Sequence, residues 1–183
     1  MADVSPPDDL CRKFSEKKNA ECILEKGKKV SLELSVRVAE RRDSQALVKF
    51  NVEMAWETEQ KKLNSAIVTR GVQELLENPQ HGFYVVAETA GQIVGSLMVT
   101  YEWSDWRCGL FWWIQSVYVR PDYRKRGVFS RLYQSLKDKA SRDANVCGFR
   151  LYVQSSNHTA QDTYNSVGMK ETSYRVYEEP FEE

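Results

Sequence analysis

Five cations crowd one short turn. Arg120, Arg124, Lys125, Arg126 and Arg131 stand around a single acid, Asp122, with Gly127 where a helix should begin. The turn joins an apolar strand-like run, LFWWIQSVYV, to an amphipathic run, VFSRLYQSLKDKA. A helix N-terminus offers unpaired backbone N–H groups and the positive end of its dipole, and a glycine there lets a ligand approach the backbone. The chemistry this suggests is a grip on phosphate, and for a strand–loop–helix it is a grip on the pyrophosphate of a cofactor. The competing reading is a solvated, Arg-rich loop between two core elements.

Other elements must position that turn. Residues 1–35 are Pro-containing and then charge-rich with little apolar periodicity, and read as an N-terminal extension, partly helical at most. A domain over residues 36–183 begins near an alternating strand at Leu34–Val38, followed by a helix N-capped by Asp43 that carries Ala46, Leu47, Phe50 and Met54. A second helix is expected from about Thr69 to Glu77, stopped by Asn78-Pro79. Then come a hairpin of Phe83–Glu88 and Ile93–Tyr101, a polar connection from Glu102 to Gly109, and the strand Leu110–Val119. After the helix that follows Gly127, a strand is expected at Phe149–Val153, a helix at Asn157–Val167 ended by Gly168, and a last strand at Tyr174–Tyr177. The order β-α-α-β-β-β-α-β-α-β predicts an α/β domain: a mixed, largely antiparallel central sheet with helices on both faces.

Composition narrows the function. The chain has 183 residues and a formal net charge of zero, which argues against a general nucleic-acid binder. It carries no apolar run long enough to span a bilayer, so no membrane partner is expected. The opening MADVSPPDDL has neither a basic region nor an apolar core, and the expectation is a cytoplasmic protein with free thiols. Four scattered cysteines and two histidines offer no metal-ligand spacing and no Ser-His-Asp set, so no metal is expected.

Two signatures then carry a family likeness. Arg124-Lys125-Arg126-Gly127-Val128-Phe129 fits the first four positions of Gln/Arg-x-x-Gly-x-Gly/Ala, with Phe129 departing where a small residue is usual. Asn157-His158-Thr159-Ala160-Gln161-Asp162-Thr163-Tyr164-Asn165-Ser166-Val167-Gly168 matches Asn-x-x-Ala-x-x-x-Tyr-x-x-x-Gly in full. With this element order, the stretch from Val36 to Glu178 resembles the GNAT superfamily of acetyl-CoA-dependent N-acetyltransferases.

The resemblance implies acetyl-CoA as acetyl donor, a strand edge at Val117, Tyr118 and Val119 that pairs with the pantetheine arm, and a backbone N–H near Val117 that polarises the carbonyl. It implies that Arg124, Lys125, Arg126, Gly127, Val128, Phe129 and Ser130 hold the pyrophosphate. Tyr164 would be the general acid, its ordinary pKa of about 10 keeping it protonated at neutral pH. Asn157 would bond the pantetheine or cap its helix. Gln115 stands where several relatives carry a basic Glu, and an amide cannot take a proton at neutral pH. The acids that could serve as base instead are Glu57, Glu59, Glu102 and Asp105, with Glu57 and Glu102 taken as the catalytic candidates. Glu57 and Glu59 are placed between the first two helices, and Glu102 and Asp105 in the connection beside the central strand. With Trp56 and Trp103 these acids would receive a cationic amine through charge and cation–π attraction. Trp112 and Trp113 point to opposite sheet faces, one core and one toward the cleft. The activity implied is transfer of an acetyl group to a primary amine, of a small molecule, by direct attack in a ternary complex, since no cysteine lies in the signatures. The alternatives are a protein lysine or N-terminal acetyltransferase and a non-catalytic acyl-CoA-binding module. The likeness also allows a homodimer.

Overall fold

The computed structural model describes residues 33–181, so most of the expected N-terminal extension lies outside the described residues. The strands are β1 (Ser35–Val38), β2 (Gly82–Thr89), β3 (Gln92–Ser104), β4 (Gly109–Val119) and β5 (Val146–Arg150). The helices are α1 (Ser44–Glu59), α2 (Ser65–Glu77), α3 (Val128–Ala140) and α4 (His158–Ser166). The strands form one sheet in the order β1-β2-β3-β4-β5. The first four pair antiparallel and β5 runs parallel to β4, so the chain crosses over through α3. This is the mixed, largely antiparallel sheet that the sequence predicts.

Local chemistry explains the elements. The β2–β3 hairpin closes on Ala90-Gly91, both at positive φ (48° and 72°), the two-residue turn whose twist matches a hairpin. Strand alternation then gives the sheet two faces. On one, Tyr84 and Val86 of β2 pack with Leu47 of α1 and with Val72 and Leu75 of α2. On the other, α3 buries Val128, Phe129, Leu132, Tyr133 and Leu136. An aromatic chain runs across that second face: Tyr133 to Phe149 (ring centroids 5.6 Å apart), Phe149 to Trp112 (6.2 Å) and Trp112 to Phe83 (5.3 Å).

Several expectations are corrected. Helix α1 continues through Trp56, Glu57 and Glu59 and closes on Gln60 in the left-handed conformation, so these residues form its last turn and not an interhelical loop. Helix α2 starts at Ser65 because the Asn64 side chain accepts hydrogen bonds from the N–H groups of Ala66 and Ile67. Strand β3 runs on to Ser104, since Tyr101 and Trp103 pair across to Trp112 and Leu110, and so Glu102 and Trp103 are strand residues. Strand β5 ends at Arg150 rather than reaching Val153, its register being set from Leu110–Val146 onward. Tyr174–Tyr177 is no strand; Tyr174 and Tyr177 stand in solvent, 79% and 88% exposed, with no strand partner.

Asp43 precedes α1 as expected, but its carboxylate makes no cap bond to that helix. Its Oδ2 accepts from Glu40 N–H (2.7 Å) and from Arg37 Nη1 (2.6 Å), and Arg37 also reaches Glu88 Oε2 (2.9 Å). The buried Asp43 thus ties β1, β2 and the entry to α1 through one guanidinium. Burial alone would push its carboxyl up. The Arg37 and Glu40 hydrogen bonds and the charges of Arg37 and Arg42 outweigh that and hold it below its ordinary value. Arg37 keeps Glu88 when Asp43 is neutralised, but the buried side chain loses its charge-assisted bonds, so Asp43→Asn should cost about 2 kcal/mol in urea unfolding at pH 7. Because the folded carboxyl titrates below the unfolded one, its stabilisation is complete above the unfolded value of about 3.9 and is lost as pH falls through the folded value. The wild-type advantage over the variant should shrink below about pH 4.

Candidate active site

Strand β4 outlasts its neighbour. Its parallel pairing with β5 ends at Trp113–Arg150, whereas its pairing with β3 continues to Val119–Gly95. From Ile114 to Val119 the β5 side of the strand has no strand partner among the described residues. The register against β3 shifts between Ser96 and Met98, opposite Gln115 and Tyr118, and Ser116 takes a φ of +46°. Such a bulge bends a strand and sharpens its twist. It also leaves Gln115 and Tyr118 on the same face, the face of α1. Gln115 donates to Thr100 Oγ1 (2.6 Å), and the Tyr118 ring lies 4.9 Å from that of Phe50.

Beyond β4 the chain makes a one-turn 3-10 helix at Pro121–Tyr123 and enters α3 through Gly127 at φ +77°. A Cβ added at Gly127 would meet nothing within 4 Å, so open space lies before the turn. No side chain caps α3, and its first bond runs from Arg131 N–H to Gly127 C=O. The amides of Val128, Phe129 and Ser130 are therefore left for a ligand or solvent. The cations around them divide. Arg120 is held by Asp122 through two bonds (3.2 and 2.8 Å). Arg126 lies over the Tyr123 ring. Lys125, Arg126 and Arg131 have no ion pair among the described residues.

Arg124 turns away from the loop. Its Nε donates to Val119 C=O (2.8 Å), its Nη2 pairs with Glu57 Oε2 (2.6 Å), and it lies over the Tyr118 ring. The other Glu57 oxygen accepts from Tyr118 Oη (3.1 Å). Burial, then the carboxylates of Glu53 and Glu57, push the Tyr118 hydroxyl well above its ordinary value. Glu57, Arg124, Tyr118 and Val119 are thus brought together. Trp56 and Glu59, in the same helical turn, are exposed.

Glu102 lies farther along the same sheet face. Its Oε1 pairs with Arg150 Nη1 (2.5 Å) and its Oε2 accepts the Trp113 indole N–H. Trp113 is accordingly half-buried on the α1 face, and buried Trp112 is the core one. Trp103, one residue on from Glu102, projects from the opposite face and is 60% exposed. Asp105 accepts its own turn's Trp106 N–H. The expected acid–tryptophan cluster therefore separates, and neither Trp103 nor Asp105 joins Glu102. Arg150, Thr100 and Tyr152, whose hydroxyl lies 3.5 Å from Gln115 Oε1, escaped the sequence reading. An arginine inside an otherwise apolar strand run, FRLYV, was the available signal.

On the other face, Phe129 fills the position where a small residue was expected. It is buried, stacks on Tyr133 (5.9 Å) and meets the Tyr164 ring edge-on (5.5 Å). Burial pushes the Tyr164 hydroxyl up, and that hydroxyl takes no hydrogen bond from the described residues. Asn157 caps α4, its Oδ1 accepting from Ala160 N–H (3.1 Å).

A family model described as the acetyltransferase (GNAT) family matches residues 40–169. A thialysine N-epsilon-acetyltransferase of Sus scrofa is 31% identical over 86 residues, covering 44% of this chain and 49% of that protein. The chain thus spans about half the length of the curated relatives it matches. The crystal structure of a possible acetyltransferase from Clostridium difficile 630 is 41% identical and superposes with a TM-score of 0.76, covering 82% of this chain and 99% of that one. A predicted acetyltransferase from Clostridium acetobutylicum, crystallised with acetyl-CoA, shares the fold at 18% identity and a TM-score of 0.67, covering 80% of this chain and 96% of that one.

The cap bond makes Asn157 testable on its own. Asn157→Ala should lower stability by about 1 kcal/mol in urea unfolding, and Asn157→Asp, an equally good cap, should recover it.

Proposed function

The chain belongs to the acetyltransferase (GNAT) family, and from that premise we propose that it moves the acetyl group of acetyl-CoA to the primary amine of a small molecule. The observation that carries this reading is the split in the sheet: β4 runs on to Val119 after β5 has left it at Arg150, and then leads through Gly127 into an uncapped helix. Those two features fit the two ends of one ligand. The free edge at Val117, Tyr118 and Val119 suits the amides of a pantetheine arm, as an added strand would. The amides from Val128 to Ser130, with Lys125 and Arg126, suit a pyrophosphate.

Acetyl-CoA supplies a thioester carbonyl open to attack. The protein's work is to hold it, to orient the amine and to move two protons. The Val117 N–H is the donor for the carbonyl oxygen as that oxygen gains charge. Tyr164 gives its proton to the departing sulfur, and burial keeps it in the acid form needed for this. The amine attacks as the free base, its nitrogen bonding to the carbonyl carbon as the carbon–sulfur bond breaks. Glu57 is the better placed of the two acids to attract the amine and take its proton. Both carboxylates have both oxygens engaged, but Glu57 is joined to Tyr118 beside the free edge of β4, whereas Glu102 is held on the far side of Gln115. Tyr164 and the acids stand on opposite faces of the sheet, so the leaving group and the attacking amine need not compete for space. The thialysine N-epsilon-acetyltransferase relative, by its name, acts on a small amino-acid amine, which supports a small-molecule acceptor.

The test is release of free CoA from acetyl-CoA in the presence of a panel of primary amines. Tyr164→Phe should lower kcat by about 100-fold with acetyl-CoA binding retained, and wild type should show no alkaline loss of activity below about pH 10. Tight acetyl-CoA binding without turnover on any amine would overturn the reading, and an unchanged rate in Tyr164→Phe would remove the acid role.

A further inference from the structure

Residues 170–181 run on from α4 without helix or strand, and every one of them is exposed. The helix sets their exit: Gly168 N–H donates to Asn165 C=O (3.0 Å) and Met169 N–H to Tyr164 C=O (3.1 Å). From Lys170 onward no backbone group of this tail is hydrogen-bonded, and none of its charges is paired, among the described residues. Its residue types are those of a strand. Tyr174-Arg175-Val176-Tyr177 is mostly aromatic and β-branched. Tyr174, Val176, Tyr177 and Phe181 all stand in solvent. Folded chains seldom leave so many large apolar side chains together in water without a partner.

The sheet has an edge to match. β5 is its last strand and pairs only with β4. Open edges are usually blunted by charge, proline or cover. β5 reads VCGFR, and its single charge, Arg150, is drawn inward over the Phe111 ring (3.9 Å to the centroid) to Glu102. Arg107 stands 5.4 Å from the centroid of the same ring and has no ion pair among the described residues. Two cations thus share that ring beside β5 with one carboxylate between them. The tail carries two acids, Glu178 and Glu179, directly after Tyr177.

We infer that the tail of one chain adds as an antiparallel strand to β5 of a second copy, and that the two copies exchange tails about a twofold axis. The pattern sets the register. Gly148 and Arg150 face the side of Phe111 and Trp113, and Phe149 faces Trp112 on the other. Gly148 has no side chain, so the partner's Glu178 fits across from it, diagonal to Arg150 and beside Arg107. The partner's Tyr177 then stands across from Phe149 and extends the aromatic chain of Tyr133, Phe149 and Trp112. The partner's Tyr174 meets exposed Tyr152, whose ring lies 6.1 Å from that of Trp113. A chain's own tail follows β5 through a helix, and strand–helix–strand returns the second strand parallel. Laid parallel with Tyr177 at Phe149, it would carry Tyr174 to the Val146 end, away from Tyr152, and Glu178 away from Arg107. The area suffices. Each tail brings the rings of Tyr174, Tyr177 and Phe181, and at about 150–250 Å² per ring the two tails bury on the order of 1,000 Å², the size of a specific interface.

The test is the mass of the full chain by light scattering after gel filtration, over a range of concentrations. Wild type should elute at twice the chain mass. Neighbouring N–H groups of a strand point to opposite edges, so one of Arg175→Pro and Val176→Pro should weaken the dimer at least about 10-fold and the other much less. Glu178→Arg and Arg107→Glu should each weaken it. An equal mixture of those two variants should recover it, because each tail then meets an edge of opposite charge. A monomer at every concentration would overturn the proposal, and a lower urea midpoint in the proline variants of that monomer would place the tail on its own β5. A dimer that neither proline weakens, or one that the mixture does not recover, would overturn it in favour of a contact on another face.

Discussion

Unpaired backbone is the constraint on which this structure turns. A strand interior needs partners for its N–H and C=O groups on both sides, and leaving them dry and unpaired costs as much as losing hydrogen bonds. Strand β4 is central in the sheet as far as Trp113, and for its last six residues, Ile114 to Val119, it becomes an edge. Two local features mark that change. The bulge at Ser116 bends β4 and sharpens its twist. Arg150, its side chain drawn over Phe111 to Glu102, is the last residue of β5 to pair with β4. An edge opened inside a sheet, rather than at its margin, is flanked by both helical layers, and it can be satisfied by a narrow ligand that mimics a strand.

The two faces of that opening differ in kind. The α3 face is aromatic: Phe129, Tyr133, Phe149 and Trp112 pass from the helix to the strands, and Tyr164 meets the end of this chain. The Phe129 ring packs edge-on against Tyr164, whose hydroxyl has no partner among the described residues. The α1 face is ionic: Glu57, Arg124, Glu102 and Arg150 pair across elements distant in sequence. An aromatic wall gives the Tyr164 hydroxyl a fixed place and a raised titration point, whereas half-exposed ion pairs hold their partners weakly enough to exchange them. Phe129 makes the first arrangement intelligible. Its ring takes the volume between α3 and α4, and the loop still presents its backbone amides, which belong to no side chain.

Much of this was legible in the chain. The order of elements, the hairpin at Ala90-Gly91, the Gly127 helix entry and the Asn157 cap follow from local rules: turn residues at positive φ, a short polar side chain before a helix, apolar positions three and four apart. What failed were boundaries decided by partners. The run from Glu102 to Ser104 looked like a connection because its composition is polar, but Tyr101 and Trp103 find Trp112 and Leu110 across the ladder and carry the strand on. Tyr174–Tyr177 has the alternation of a strand and no strand to join. The acids were misplaced for the same reason. Glu57, Glu102 and Asp105 look alike as letters, and only tertiary structure sends Glu57 to Arg124, Glu102 to Arg150 and Asp105 to its own turn.

The Arg124–Glu57 pair joins the two halves of the site most directly. Arg124 belongs to the cation-rich turn before Gly127, Glu57 to the last turn of α1, and Val119, also bonded by Arg124, to the end of the free edge. With side chains 44% and 38% exposed, such a pair contributes on the order of 1 kcal/mol or less. A doubly charged phosphate ligand gives a guanidinium stronger, bidentate bonds than one exposed carboxylate does. An anion bound at the Gly127 turn can therefore draw Arg124 from Glu57 at small cost, and the carboxylate it leaves is then free for a cation. The coupling this allows is bounded by the energy of the pair itself, a factor of about five at most. The cation-rich turn thus reaches across the sheet: Arg124, which the proposed function places beside a pyrophosphate, is the residue that holds the Glu57 carboxylate.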